Sequence, residues 1–272
     1  MTDTFDKPAT ATARTSMQEL RTLLHKYWRI CGTGIGFLAF GIGALSLRLL
    51  IFPLINLAVR HQQQRIAWSR TAIRWAFRSL IELMCMLRVI SYDISGLERL
   101  QRRGLLILAN HPTLIDTMLL MAFVRHADCI VKSALWNNPV TRGPVRAAGY
   151  ISNAQGPLLV EDCIASLRSG GNLIIFPEGT RTPLDGNMSF KRGAANVAVR
   201  GNWSVTPVTI RCAPILLSKG KKWWKVPPTT PHFSIAVRPD IDIAQMTDAA
   251  ANPALAARQL THYLQHYFMK ES

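Results

Sequence analysis

Acid is what this sequence has least of. Its 272 residues carry 16 Asp+Glu against 32 Lys+Arg, a formal charge of +16 with a pI near 10.4, and charged residues reach only 18% against a usual value of about 25%. The shortage excludes an acidic, solvating or disordered chain, and the unbalanced positive field calls for an anionic partner, either nucleic acid or an anionic lipid surface. Cysteine is equally uninformative as a framework. Cys31, Cys85, Cys129, Cys163 and Cys212 are an odd number without a CxxC spacing, which argues against a disulfide scaffold or a zinc cluster and for buried thiols in a reducing compartment. There is no internal repeat, no low-complexity tract, no GxSxG nucleophile elbow and no HExxH metal helix, so neither a covalent triad nor a zinc hydrolase has obvious residues to use. His262 and His266 stand four apart on an expected C-terminal helix but lack an accompanying Glu. His126, Asp128 and Cys129 read as lining the end of a helix, with no role assigned.

Long apolar stretches are present. Ile30–Leu47 is uncharged over 18 residues, enough at 1.5 Å per residue to cover most of a bilayer core. Arg48 interrupts, and the apolar run resumes to Val59 with Pro53 inside it. A charge at mid-bilayer costs about 2.5–3.5 kcal/mol, which places Arg48 near an interface and favours two shorter apolar helices over one rod. Five glycines between Gly32 and Gly43 suit close helix approach in lipid. Arginines and lysines flank the run on both sides, which favours a re-entrant hairpin with both ends on the cytoplasmic side. Residues 66–89 then set Arg70, Arg74 and Arg78 opposite an apolar stripe, a cationic amphipathic helix that lies on lipid or faces a core with its arginines solvated. About twenty-five polar residues precede the apolar run, so a cleaved signal peptide is not expected. The domain reading is a mobile tail at 1–25, a membrane-associating helical region at 26–90 and an α/β domain at 91–272.

Beyond Arg88 the texture changes to short apolar runs punctuated by Gly, Pro and Asn, with helical patterns between them. This predicts an α/β fold with a mixed, mostly parallel sheet flanked by helices. Two strand ends carry chemistry. The run LLILAN stops at Asn110, and Pro112 pushes His111 out of helical geometry onto a strand-to-helix turn. Asp116 follows in the first turn of the next helix, where its carboxylate can fix one imidazole nitrogen and leave the other to take a proton from a substrate hydroxyl. The second run, NLIIF, ends in Pro177-Glu178-Gly179-Thr180-Arg181-Thr182, again at a strand end where α/β sheets bind ligands. Gly179 permits close approach, Thr180 offers a hydroxyl, and Arg181 offers a fork suited to phosphate.

These residues carry a resemblance. Asn110-His111-Pro112-Thr113-Leu114-Ile115-Asp116 resembles the His-x4-Asp motif of the glycerolipid and lysophospholipid acyltransferases, and Phe176 to Thr182 resembles their Phe-Pro-Glu-Gly-Thr-Arg block. Phe190 to Ala194 and Val205 to Val208 resemble later segments of that family, so the similarity spans about residues 90–240. The resemblance implies a membrane-associated enzyme transferring a fatty acyl group from an acyl-CoA or acyl-carrier-protein thioester to a lysophospholipid hydroxyl. It implies no cofactor, no metal and no acyl-enzyme intermediate. His111 would be the general base, Asp116 its orienting partner, and Glu178, Gly179, Thr180 and Arg181 would bind the acceptor. The implied partners are a lipid bilayer, a lysolipid and the acyl carrier, without nucleic acid, at the inner (cytoplasmic) membrane with the site facing the cytoplasm.

One departure bears on the acceptor. Between the two blocks, where the family has a Gly-aromatic stretch ending in Arg, this chain has Gly149-Tyr150-Ile151-Ser152-Asn153-Ala154-Gln155. Losing that cation weakens phosphate binding by about 1.5–3 kcal/mol unless Arg142 or Arg146 substitutes. A less charged acceptor, or a specialised acyl chain delivered by a carrier protein to an envelope lipid or glycolipid, is the alternative within enzymes. A non-catalytic membrane or nucleic-acid binding module is the alternative from another class. The segment Lys219-Gly220-Lys221-Lys222-Trp223-Trp224-Lys225 interleaves cations with indoles and suits a lipid interface better than nucleic acid, given the apolar run in the same chain.

Overall fold

In the computed structural model, residues 9–138, 141–183, 185–244 and 252–271 are described. Helix α1 (Ala9–Ser46) passes through a π-helical stretch (Leu47–Ile51) into α2 (Phe52–Ala58), and α3 (Gln62–Met86) returns against them. The two separate apolar helices expected around Arg48 are therefore one nearly continuous helical path. The wide π turn absorbs the change of register, and Pro53 falls in the first turn of α2, where a missing N–H costs little. Arg48 packs its stem close to Gly143. Helix α1 also begins at Ala9, within the segment read as a tail.

Seven strands follow: β1 (Ser91–Ser95), β2 (Leu106–Ala109), β3 (Ala127–Val131), β4 (Ile151–Ser152), β5 (Asn172–Ile175), β6 (Val205–Ala213) and β7 (His232–Val237). They form one sheet in the order β1-β7-β6-β2-β5-β3-β4, parallel throughout except at the β6–β7 pair. The helices between and after them are α4 (Ile115–Phe123), α5 (Ser133–Asn137), α6 (Arg142–Ala147), α7 (Leu159–Arg168), α8 (Gly193–Gly201) and α9 (Pro253–Glu271).

Alternation along β2 sorts the helices into two layers. Ile107 and Ala109 face one core with Ile73 and Ile81 of α3 and Leu119 of α4. Leu106 and Leu108 face the other, with Ile164 of α7, Ala198 of α8 and Leu264 and Phe268 of α9. The turn into β1's following 3₁₀ segment requires Gly96, at φ +72°, because a Cβ there would lie 2.4 Å from the Val237 carbonyl oxygen.

The amphipathic helix α3 lies on the protein core, not with its arginines all in solvent. Arg70 reaches into the fold and donates to the Asp128 carboxylate at 2.6 Å and to the Ala148 carbonyl at 2.8 Å. Asp128, 1% exposed, also accepts from Ser166 and from the Cys129 amide. His126, Asp128 and Cys129 thus sit at the start of strand β3, which corrects their placement at a helix end. The reason is a buried ion pair between residues 58 positions apart, which lets a carboxylate occupy an interior strand.

The glycines of α1 divide in two. A Cβ on Gly32 would collide with Val89 and one on Gly36 would touch Met84, whereas Gly41 and Gly43 have nothing within 4 Å. The first group fits α1 to α3 and to the connection between α3 and β1. The helical stretch Thr22–Ala58 is long and apolar enough, by length and composition, to cross a membrane, and it leaves Leu38, Leu50 and Leu57 at 60% exposure or more.

Candidate active site

The site grows from the register of two neighbouring strands. Leu106 pairs with Leu173 and Leu108 with Ile175, a constant offset of 67. Carried three residues further, the same offset sets His111 opposite Glu178, and the His111 amide donates to Glu178 Oε1 at 3.0 Å. On the other side of β2, the Asn110 side chain takes over from the ladder as the strand ends. Its Nδ2 donates to the Ile210 carbonyl at 2.8 Å and its Oδ1 accepts from the Ile210 amide at 2.7 Å. That two-bond clamp lets the main chain leave the sheet at His111 without orphaning β6.

His111 keeps the parity of Ile107 and Ala109 and lands on the α3–α4 side, where its ring stacks on Phe176 at 4.2 Å between centroids. Its Nδ1 lies 3.0 Å from Asp116 Oδ2. Asp116 is fully buried and is held by Thr113 as well: the Thr113 amide donates to Oδ2 at 2.6 Å and the Thr113 hydroxyl to Oδ1 at 2.7 Å. Burial pushes the Asp116 carboxyl above its ordinary range, opposed by the bonds from His111 and Thr113. With Nδ1 committed to a carboxylate, the proton on the neutral ring belongs on Nδ1, and Nε2 carries the free lone pair.

The second block wraps the same loop. The Thr182 amide donates to the His111 carbonyl at 2.7 Å, and its hydroxyl donates to Glu178 Oε1 at 2.7 Å. Glu178, 4% exposed, thus braces the main chain of His111 with one oxygen, and its Oε2 is buried without a hydrogen-bond partner. Burial pushes its carboxyl up, opposed by Thr182 and the His111 amide. Gly179 adopts φ +67°, and Lys191 lies across it within 3 Å of where a Cβ would stand. Arg181 donates through Nη1 to the Leu217 carbonyl at 2.7 Å, and Thr180 is half-buried beside it. The six residues given site roles from the sequence therefore come together at the C-terminal ends of the central strands β2 and β5, five on two adjoining loops and Asp116 in the first turn of α4. In the sequence Asn110, Thr113, Phe176 and Thr182 read only as members of the two motifs, without a role, and Leu217 not at all; their contribution is to hold the others.

The brace can be separated from chemistry by substitution. Glu178→Gln keeps a carbonyl oxygen for the His111 amide and the Thr182 hydroxyl, so kcat should stay within a few-fold. Glu178→Ala leaves that amide with only the 3.3 Å contact to Thr182, and an unpaired buried donor costs about 1–3 kcal/mol. An equally large loss of kcat in the two variants, measured at saturating substrate, would show that the carboxylate acts in the reaction itself.

A cavity of about 680 Å³ lies elsewhere. It is lined by Arg70, Arg103, His126, Asp128, Ser166 and Gly171 among others, at the start of β3 and β5, the opposite end of the strands from His111. A smaller apolar cleft adjoins the His111 loop, bounded by Gly36, Phe37 and Phe40 of α1, Met84 of α3, Leu114 and Ile115 just before Asp116, and Leu217. Among the described residues no group of three His, Cys, Asp or Glu could hold a metal. His262 and His266 stand with ring centroids 4.2 Å apart and without such company. Arg146 sits over the Trp136 ring and Arg142 is exposed at the start of α6.

Residues 91–211, which contain both loops, match the Acyltransferase family model. The similarity to acyltransferases thus takes in both loops of the site. A 1-acyl-sn-glycerol-3-phosphate acyltransferase of Pseudomonas aeruginosa is 27% identical over 197 residues, covering 70% of this chain and 72% of that protein. The chloroplastic 1-acyl-sn-glycerol-3-phosphate acyltransferase LPAT1 of Arabidopsis thaliana is 29% identical over 126 residues, 43% of this chain and 35% of that one. The crystal structure of the 1-acyl-sn-glycerophosphate acyltransferase PlsC from Thermotoga maritima shares the fold, with a TM-score of 0.66 at 20% identity over 93% of this chain and 95% of that one. That likeness of fold extends across the α/β domain and the N-terminal helices together.

Proposed function

We propose that this acyltransferase moves a fatty acyl group from a coenzyme A or acyl-carrier-protein thioester to the hydroxyl of a lysophospholipid-type acceptor at a membrane surface. The observation that carries the reading is the His111–Asp116 pair, on a loop joined to the Arg181 loop through the bond from the Thr182 amide to the His111 carbonyl. His111 Nε2 takes the acceptor hydroxyl proton as the oxygen attacks the thioester carbonyl. Asp116 stabilises the imidazolium that forms. Collapse of the tetrahedral intermediate breaks the C–S bond, and the departing sulfur takes the proton back from His111. An activated thioester needs no covalent relay, so positioning and base catalysis suffice. Arg181 supplies the charge-assisted contact to an acceptor phosphate, and Gly179 and Thr180 shape the turn around it.

The exposed face of α1 and α2 is of the right character for insertion into lipid. On this reading the protein sits at the inner (cytoplasmic) membrane with the site toward the cytoplasm. The segment 149–155 supports a second acceptor reading. It supplies no Arg, and strand β4 stands three positions from β2, about 14 Å at the usual strand spacing. A less charged or larger head group fits that loss. Purified protein incubated with coenzyme A- and carrier-linked donors and a panel of lysolipids, with products identified by mass, tests both. Acylated lysophosphatidate supports the first acceptor, acylation confined to other head groups the second, and no product with any pair refutes the assignment.

A further inference from the structure

The segment after β6 is the feature that the reaction does not use. Residues 219–225 are all exposed. They hold Lys219, Lys221, Lys222 and Lys225, and no acid occurs between Ser218 and Thr230. None of the four lysines forms an ion pair among the described residues. Trp223 and Trp224 remain 41% and 45% exposed, a large apolar area to leave in water.

The loop's position gives these residues a common plane. Trp223 packs edge-on to Phe37 at 5.9 Å and stands 3.7 Å from where a Gly34 Cβ would be. At the loop's far end Arg29, itself buried, donates to the Pro228 carbonyl. Arg29 is the last cation of α1 before the uncharged run from Ile30 to Leu47, so it marks where the helix passes from charge to oil. Gly34 is five residues further, about 7–8 Å along the axis, which is the depth at which indoles and apolar faces rest at a headgroup–acyl boundary, about 5–10 Å. The lysines and indoles of the loop and the polar-to-apolar crossing of α1 therefore share one level. A nucleic acid or an acidic carrier protein would use the lysines but would gain nothing from that coincidence of depth.

The root of the loop is also the partner of the active site. Leu217, at φ +54°, gives its carbonyl to Arg181. Ser218 next to it is fully buried with its hydroxyl unpartnered, and its carbonyl accepts from the Lys221 amide at 3.3 Å. We propose that residues 219–225 dock on an anionic bilayer surface, with the lysines on lipid phosphates and the two indoles at the boundary, and that this docking fixes Arg181 through Leu217. The inference rests on the membrane reading above and adds a lipid charge requirement to it.

The test uses the full chain, transferred from detergent to vesicles of phosphatidylcholine with or without phosphatidylglycerol. The combined variant Lys219→Gln, Lys221→Gln, Lys222→Gln and Lys225→Gln should partition at least tenfold less onto the anionic vesicles, since each cation near such a surface contributes about fivefold. Partitioning onto phosphatidylcholine alone should not change. On anionic vesicles the variant should show a raised KM for lysophospholipid, and the paired change Trp223→Ala and Trp224→Ala should weaken binding to both vesicle types while leaving the far-ultraviolet circular dichroism intact. Equal partitioning of wild type and lysine variant onto anionic vesicles overturns the proposal. So does unchanged vesicle binding accompanied by lost binding of acyl carrier protein or of a single-stranded oligonucleotide. Wild-type protein that binds both vesicle types alike defeats this inference only, whereas binding to neither defeats the membrane reading too.

Discussion

His111→Ala lowers kcat by about 10²–10⁴-fold, the usual contribution of a positioned general base, while the protein folds and binds thioester as before. The stability expectation follows from the ring's surroundings. His111 stacks on Phe176 and keeps 15% of its side chain in solvent, so truncation opens no sealed cavity, and the main-chain bonds from Glu178 and Thr182 do not involve the ring. The comparison of kcat with thermal unfolding midpoint separates the two effects: a large fall in rate at an unchanged midpoint is expected. A variant that unfolds at a much lower temperature would mean that the imidazole holds the loop together.

Asp116 should divide by substitution. Asp116→Ala removes the acceptor for three donors at once, leaving the Thr113 amide and the hydroxyl hydrogen of Thr113 buried without an acceptor, at about 1–3 kcal/mol each, while the hydroxyl oxygen still accepts from the Ile115 amide. Its rate should fall nearly as far as that of His111→Ala, and its stability with it. Asp116→Asn is different in kind. An amide oxygen placed at Oδ2 still accepts from His111 Nδ1 and the Thr113 amide, and the NH₂ group at Oδ1 donates to the Thr113 hydroxyl oxygen. Ring orientation and tautomer survive; the charge that stabilises the imidazolium is lost, about 10–150-fold for a charge-assisted bond, and the Thr113 hydroxyl hydrogen loses its acceptor.

The pH dependence of stability separates these variants further. Because burial raises the Asp116 carboxyl above its unfolded value, the folded state binds the proton more tightly. Its cost to stability sets in as pH rises through the unfolded carboxylate value and is complete above the raised folded one. The Asn variant escapes that cost but leaves the Thr113 hydroxyl without its acceptor, so its stability relative to wild type should improve from acid to neutral pH while it turns over more slowly. Denaturant midpoints at acid and neutral pH, beside kcat, check both halves. If Asp116→Asn matched Asp116→Ala in rate and stability, the carboxylate would be serving as something other than an orienting partner.

The sequence pattern made the sheet's central strands and both site loops legible because β2 and β5 are unbroken apolar runs that end abruptly in polar, turn-forming residues. It did not reveal β3, where Asp128 interrupts the run, because the arginine that neutralises it comes from α3. Strand β4 is two residues long and leaves no periodicity to read. Arg70 was legible as one charge of a stripe on α3, but its burial depends on where β3 and α6 come to lie. The same limit applies at the site. His111, Asp116, Glu178 and Arg181 announce themselves by type and spacing, whereas the brace from Glu178 to the His111 amide exists only through the register offset between β2 and β5, and the Arg181–Leu217 bond joins loops 36 residues apart. Local chemistry is written in short motifs, and its support is written in the pairing of distant strands.

The central claim is that the acceptor oxygen attacks the thioester directly while His111 holds its proton. The most direct measurement is thiol release from an acyl-CoA or acyl-carrier-protein donor, followed with wild-type protein and His111→Ala, each with and without the lysolipid that the wild-type enzyme acylates. Release that needs both the acceptor and His111 is the predicted result. Release at the wild-type rate from His111→Ala, or a stoichiometric burst from wild type without acceptor that leaves the acyl group on the protein, would contradict it.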